Sequence, residues 1–286
     1  MPGLCYFDGT FLPLEEAGLA LTDLALQRGY GVFDYFRTVD NELFHARDHL
    51  KRLRHSAAAL HLPVSFSDNE LIEIIQHLVE SCDFQQPAVR ILLTGGDPTQ
   101  DQGVFNPRLI CIPEELPVYP PENYTRGMSL LTVRYQREMP LVKTLNYAAS
   151  LRWELLLKRQ HADDLLYFSS QGVSESPRSN FFLFQAGKLI TPANNILFGI
   201  TRQIVLNLAQ GHFPVEERLV SREELFTADE AFLTSTSKGI MPVTQIDQHP
   251  VGDGKIGECT RALRALYLSY LDDYDSDPAL LSGSGS

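Results

Sequence analysis

Four prolines fall within nine residues of this chain, in the run PEELPVYPP from Pro113 to Pro121. Proline removes backbone donors and favours extended chain, so the run is the best linker candidate and divides the sequence into two halves. Each half mixes both hydrophobic periods. Upstream, Cys5–Phe7 and Thr10–Leu12 flank Asp8-Gly9 and read as a hairpin. Val32–Thr38 is aromatic and β-branched, and Asp40-Asn41 turns it into a strand at Leu43–Ala46. Leu50, Leu53, Ala57 and Leu60 then recur at helical spacing and predict a helix over Arg47–Leu60. Ser67 and Glu70 form a capping-box signature ahead of a second helix through Leu71, Ile74, Ile75 and Leu78. Strands are expected at Ala88–Thr94 and Arg108–Ile112.

Downstream, Met128–Arg134, Leu165–Phe168, Asn180–Phe184, Leu189–Thr191 and Glu230–Thr234 read as strands, with turns at Gln171-Gly172 and Ala186-Gly187. Leu145–Gln160 reads as one long helix, Thr201–Ala209 as a short one ended by Gly211, and Ile256–Tyr270 as an amphipathic one. Ser221 with Glu224 marks another capping box. The expected fold class is α+β in two domains: a small N-terminal domain over 1–117, a connector over 118–127, a larger domain over 128–275 and a flexible tail over 276–286.

Charge narrows the partners. Thirty-six acidic residues against 24 basic give a net charge of −12, which repels nucleic-acid backbones and anionic lipid. No apolar run reaches membrane-spanning length, no signal peptide opens the chain, and a cytoplasmic location is expected. Cys5, Cys82, Cys111 and Cys259 form no C-x-x-C pair and read as reduced thiols. The eight histidines are read as structural or exposed, and no metal site is expected.

Chemistry gathers at a few positions. Lys143 stands in VKTLNYAAS with Tyr147 four residues on, on the same face of the expected long helix. A lysine amine condenses with a carbonyl cofactor once a dry pocket lowers its pKa, and a phenol one turn away can donate to the cofactor's oxygen. Glu175, in GVSESPRSNFF, is either an exposed turn acid or a carboxylate facing a pyridine nitrogen, keeping it protonated as an electron sink. Phe198-Gly199-Ile200-Thr201 precedes a short helix whose amides could hold a phosphate, and Thr234-Ser235-Thr236-Ser237 offers a second polar turn. Arg52, beside Lys51 and Arg54, reads as a solvated charge or as a phosphate fork.

In order along the chain, FDG, GVFDYFRT, DHLKRL, VKTLNY, GVSESPRSNFF, FGITR and TSTSKGIMPV resemble the fold-type IV pyridoxal-5'-phosphate transaminases, from Phe7 to Val243. The resemblance implies a small α/β sandwich, a larger pseudo-barrel, and a homodimer with the site between the domains and a partner loop closing it. It places pyridoxal 5'-phosphate on Lys143, with Tyr147 beside the cofactor oxygen, Glu175 at the pyridine nitrogen and Leu197 under the ring. Arg52, Gly199, Ile200, Thr201, Ser235 and Thr236 would hold the phosphate.

Within that family the likeness is to D-amino-acid transaminases, but the usual R-x-H carboxylate clamp is missing from the LTGGDPTQDQG loop. Arg28, Arg90 and Arg178 are the substituting anchors for substrate carboxylates, or else pair with acids in an acidic chain. The expected reaction moves an amino group between a D-amino acid, such as D-alanine or D-glutamate, and a 2-oxo acid such as 2-oxoglutarate. Arg90 also supports a branched-chain L-amino-acid aminotransferase, and the K-T-L-N-Y run a 4-amino-4-deoxychorismate lyase. A non-catalytic binding protein that kept the fold is the reading from outside enzymology.

Overall fold

In the computed structural model, which describes residues 3–98 and 105–274, Asp8 and Gly9 take positive φ and turn Leu4–Phe7 back onto Thr10–Pro13. The chain divides into two units: Met1–Pro117 with Val142–Asn146 and Tyr274–Ser286, and Val118–Leu141 with Tyr147–Asp273. The tail expected over 276–286 and residues 99–103 of the LTGGDPTQDQG loop lie outside the described residues.

The first unit is a six-stranded antiparallel sheet. Its order is Thr10–Pro13, Leu4–Phe7, Leu109–Glu115, Pro87–Thr94, Gly31–Val39, Glu42–Leu43. The helices Ala46–Ala59 and Asp68–Glu80 pack on it. Leu50, Leu53, Leu71 and Ile75 are fully buried, the face their helical spacing predicts, and each contributes about 1.5–3 kcal/mol. The Ser67–Glu70 capping box forms with both reciprocal bonds. The strand expected at Leu43–Ala46 stops at Leu43, because His45 turns left-handed (φ 53°) and Ala46 already opens the helix. The proline-rich run starts later than its composition suggests. Pro113, Glu114 and Glu115 still pair with Val89, Ala88 and Pro87. The neighbouring strand pairs only at Ile110 and Cys111, so Pro113 sits where the sheet is one-sided and a proline is tolerated.

The second unit holds a ten-stranded mixed sheet. Its main path runs Gly172–Val173, Asp164–Ser169, Met128–Arg134, Gly239–Ile246, Glu230–Ser235, Ser179–Gln185, Lys188–Pro192, Val215–Arg218. Ser179–Gln185 is buried on both faces except at its last residue, so its sequence SNFFLFQ shows no polar alternation. Phe181 and Leu183 join a core with Leu130, Leu166, Leu233 and Met241. Phe182 stacks on Phe232, with ring centroids 4.9 Å apart. The helices Ile200–Ala209 and Glu258–Asp272 pack against each other and against the Glu230–Ser235 strand. The α+β class expected from the sequence is the one observed. Among the described residues no helix is long and apolar enough to cross a membrane.

The long helix expected over Leu145–Gln160 does not form. Val142–Asn146 is irregular, with a single bridge at Thr144, and helix appears only as Ala148–Arg152 and Glu154–Gln160, broken at Trp153. Lys143 and Tyr147 therefore share no helix face. Tyr147 instead precedes the first short helix at its N-cap position.

Candidate active site

In the first unit the residues around Lys143 lie along the start of the Gly31–Val39 strand. Thr144 bridges Val32, the Lys143 carbonyl accepts from the Phe33 N–H (3.0 Å), and the Leu145 N–H donates to Gly31 O (3.0 Å). The Lys143 N–H donates to the buried Ser56 hydroxyl at 3.1 Å. This seat demands a glycine: a Cβ on Gly31 would lie 2.7 Å from both Leu145 Cδ1 and Leu93 O. So held, Lys143 places Nζ 4.3 Å from the centroid of the Phe33 ring. The Arg90 guanidinium lies over the same ring at 5.7 Å and over Tyr35 at 5.0 Å. Arg90 is also bound by Glu114 through two bonds of 2.6 and 2.8 Å.

Arg52 is not a solvated charge. Its Nε and Nη2 donate to Asp34 Oδ2 and Oδ1 at 2.9 and 2.7 Å, and His49 Nδ1 lies 2.7 Å from Oδ1. Asp34 and His49 are buried, and the Arg52 side chain is 11% exposed. Burial alone would raise the Asp34 pKa, but the charges and hydrogen bonds of Arg52 and His49 together outweigh it and hold the carboxyl far below its usual range. Burial pushes the His49 imidazole down against the pull of Asp34, so it is neutral and donates Nδ1–H. His45 and His49 stand four apart around Asp48, a spacing that would suit a metal, yet His45 pairs with Asp48 and His49 with Asp34. Among the described residues no group of three or more His, Cys, Asp or Glu is placed to hold a metal ion.

In the second unit Glu175 opens a short hairpin with Ser179–Asn180 and is 4% exposed. It is no exposed turn acid. Oε1 accepts from Arg137 Nε at 2.8 Å, with Nη2 at 2.6 Å, and Oε2 from the Leu197 N–H at 2.9 Å and Asn180 Nδ2 at 3.3 Å. Arg137 also donates to Pro140 O. Asn180 ties Glu175 to the next segment by donating to Leu197 O at 2.7 Å. Gly199 follows, where a Cβ would come within 2.2 Å of Asn180 Oδ1. It caps the Ile200–Ala209 helix with no side-chain bond, and Thr201 in the first turn is buried. The polar turn is equally built. Ser235 Oγ accepts from the Lys238 N–H (3.1 Å), Tyr119 meets Ser237 Oγ (3.2 Å) and the Tyr124 hydroxyl donates to Lys238 O (2.9 Å). Lys238, buried, donates to Asp164 (2.8 Å) and Ser179 (3.1 Å).

Arg28 and Arg178 are placed differently. Arg28 is exposed at the end of the Leu24–Arg28 helix, its Nη1 on Gln27 O, and Arg178 is exposed at the tip of the Glu175 hairpin. Sequence reasoning missed Asp34, Arg137 and Lys238. Each is a charged group in an apolar or polar run whose partner is distant in sequence.

The chain belongs to the class IV amino-transferases, whose family model matches residues 31–246. It is 30% identical over 271 residues to a putative branched-chain-amino-acid aminotransferase of Methanocaldococcus jannaschii, covering 91% of this chain and 93% of the other. It is 28% identical over 284 residues to the D-alanine aminotransferase of Staphylococcus haemolyticus, covering 95% and 99%. Among solved structures it is similar to a branched-chain amino acid aminotransferase of T.th. bound to pyridoxamine 5'-phosphate. That match has a TM-score of 0.87 at 27% identity and covers 95% of this chain and 94% of that one. The cofactor of this family is pyridoxal 5'-phosphate, and the residues present fit it. Glu175 is a buried carboxylate paired with Arg137, and the glycine-started helix leaves its first amides without a side-chain cap, as an anion requires.

Proposed function

We propose that the protein is a D-amino-acid transaminase whose substrate carboxylate is anchored by Arg90. The observation that carries this reading is the Phe33 ring, over which both the Lys143 amine and the Arg90 guanidinium lie. A carboxylate drawn to Arg90 would bring its α-carbon toward Lys143. Arg28 and Arg178 are read as the anchors for a second carboxylate, as glutamate and 2-oxoglutarate require. Full-length similarity to D-alanine aminotransferases supports the donor class.

Pyridoxal 5'-phosphate, when bound, supplies the electron sink that lets an amino acid lose its Cα proton and hand over its nitrogen. Lys143 would hold the cofactor covalently, and its amine would be the base that takes the proton at substrate Cα. Glu175, oriented by its ion pair with Arg137, would hold the proton at the ring nitrogen. Tyr147 is read as the donor to the cofactor's ring oxygen. Arg52, Gly199, Ile200, Thr201, Ser235 and Thr236 are read as phosphate ligands, with Leu197 under the ring.

The branched-chain reading rests on the Ala88-Val89-Arg90 strand and on relatives such as the Methanocaldococcus jannaschii protein. A half-reaction panel separates the two. D-glutamate and D-alanine are expected to discharge the bound cofactor's near-visible absorbance at least about tenfold faster than L-leucine, a difference of roughly 1.4 kcal/mol. Faster discharge by L-leucine would end the D-amino-acid reading. A homodimer is part of the same proposal. Leu21, Leu26, Leu151 and Leu155 are each more than half exposed, apolar surface that a second copy would cover. Sedimentation is expected to give twice the 32.2 kDa chain mass, and a monomer at micromolar concentration would refute it.

A further inference from the structure

We propose that the cleft between Asn123–Arg126 and the Glu258–Asp272 helix binds a small carboxylate with a flat apolar body, gripped by Arg261 and Arg264. The cleft lies within the second unit and shares Tyr124 alone with the residues of the site described above. It is an open groove with a volume of about 420 Å³, within the range of small-molecule sites.

Three features give it chemistry. Arg261 and Arg264 stand three apart on one helix face, and neither guanidinium has an acid or carbonyl partner among the described residues. In a chain with 36 acids and 24 basic residues, two adjacent arginines without acids are a pair left for an outside anion. Arg264 lies over the Tyr124 ring, 4.7 Å from its centroid, a contact that holds the guanidinium against the cleft wall. Thr260, in the lining, buries its hydroxyl with no hydrogen-bond partner, so the wall beside the two arginines carries an unpaired polar atom.

The remaining wall selects the body of the ligand. Ile256 and Leu268 line the cleft, and Leu268 is 39% exposed beside the two cations. An inorganic anion would leave that surface wet, whereas an aryl or branched carboxylate covers it. The occupant would also touch Tyr124, whose hydroxyl holds the carbonyl of Lys238.

The probe is 4-bromobenzoate, used on the cofactor-loaded enzyme. Crystals soaked with it are expected to show the anomalous bromine signal in this cleft. In calorimetry the Arg261→Gln/Arg264→Gln variant, which keeps good helix formers, is expected to lose this binding event by at least about tenfold while circular dichroism stays unchanged. Bromine found only elsewhere, or binding undiminished in the variant, overturns the proposal. A change in oligomeric state in the variant would also overturn it, by assigning the face to contact between copies.

Discussion

Lys143→Ala is expected to lower turnover by at least about 10²–10⁴-fold, the contribution of a positioned base, before the loss of its covalent role is added. The fold should survive the change. The backbone around residue 143 is fixed by the Ser56 hydroxyl, the Phe33 N–H and the Gly31 carbonyl, none of which needs the side chain. The side chain is itself only partly buried, so the stability change should stay within about 1 kcal/mol. Lys143→Arg separates charge from covalency. It keeps a cation over Phe33 but cannot condense with an aldehyde, and is expected to be as inactive as the alanine variant. Borohydride reduction of the parent followed by peptide mapping should place the cofactor label on residue 143. A label on another lysine, or normal turnover in either variant, would sink the assignment.

The sequence disclosed local signals well and long-range ones poorly. The Ser67–Glu70 capping box, the Asp40-Asn41 turn and the helix through Leu50 and Leu53 depend on residues a few positions apart, and they stand as read. The Leu145–Gln160 helix failed because Leu145 is claimed by a strand over a hundred residues earlier, and propensity carries no record of that partner. Gly239–Ile246 went unread as a strand because GIMPVTQI is buried on nearly every side and shows no alternation. Glu175 and Arg52 were legible as charged residues, but the cations and acids that fix their direction were not. Arg137 lies 38 positions from Glu175, and Asp34 lies 18 from Arg52.

The same hidden partners make the second large effect one of stability. Asp34→Leu is expected to cost about 3–5 kcal/mol, the penalty for leaving a mostly buried cation without its counter-charge. Arg52→Met alone should cost a similar amount by stranding Asp34. The double variant Asp34→Leu/Arg52→Met should recover much of the loss, because the desolvation of both charges disappears with them. Urea melts of the four proteins measure this cycle, and strictly additive losses would show that the two side chains do not act as a pair. Acid adds a directional test. The folded Asp34 pKa is depressed, so its contribution is complete above its unfolded value near about 3.9 and fades as pH falls through the lower folded value. The folded His49 pKa is also depressed, so the unfolded chain takes up its proton first, from about pH 6.5 downward, and stability falls there with decreasing pH. A His49→Gln variant should therefore lose less stability than the parent between pH 7 and 5. Equal losses would mean that folding leaves the imidazole pKa unshifted, and a smaller loss in the parent would mean that the imidazole is held charged beside Asp34, with two cations around one carboxylate.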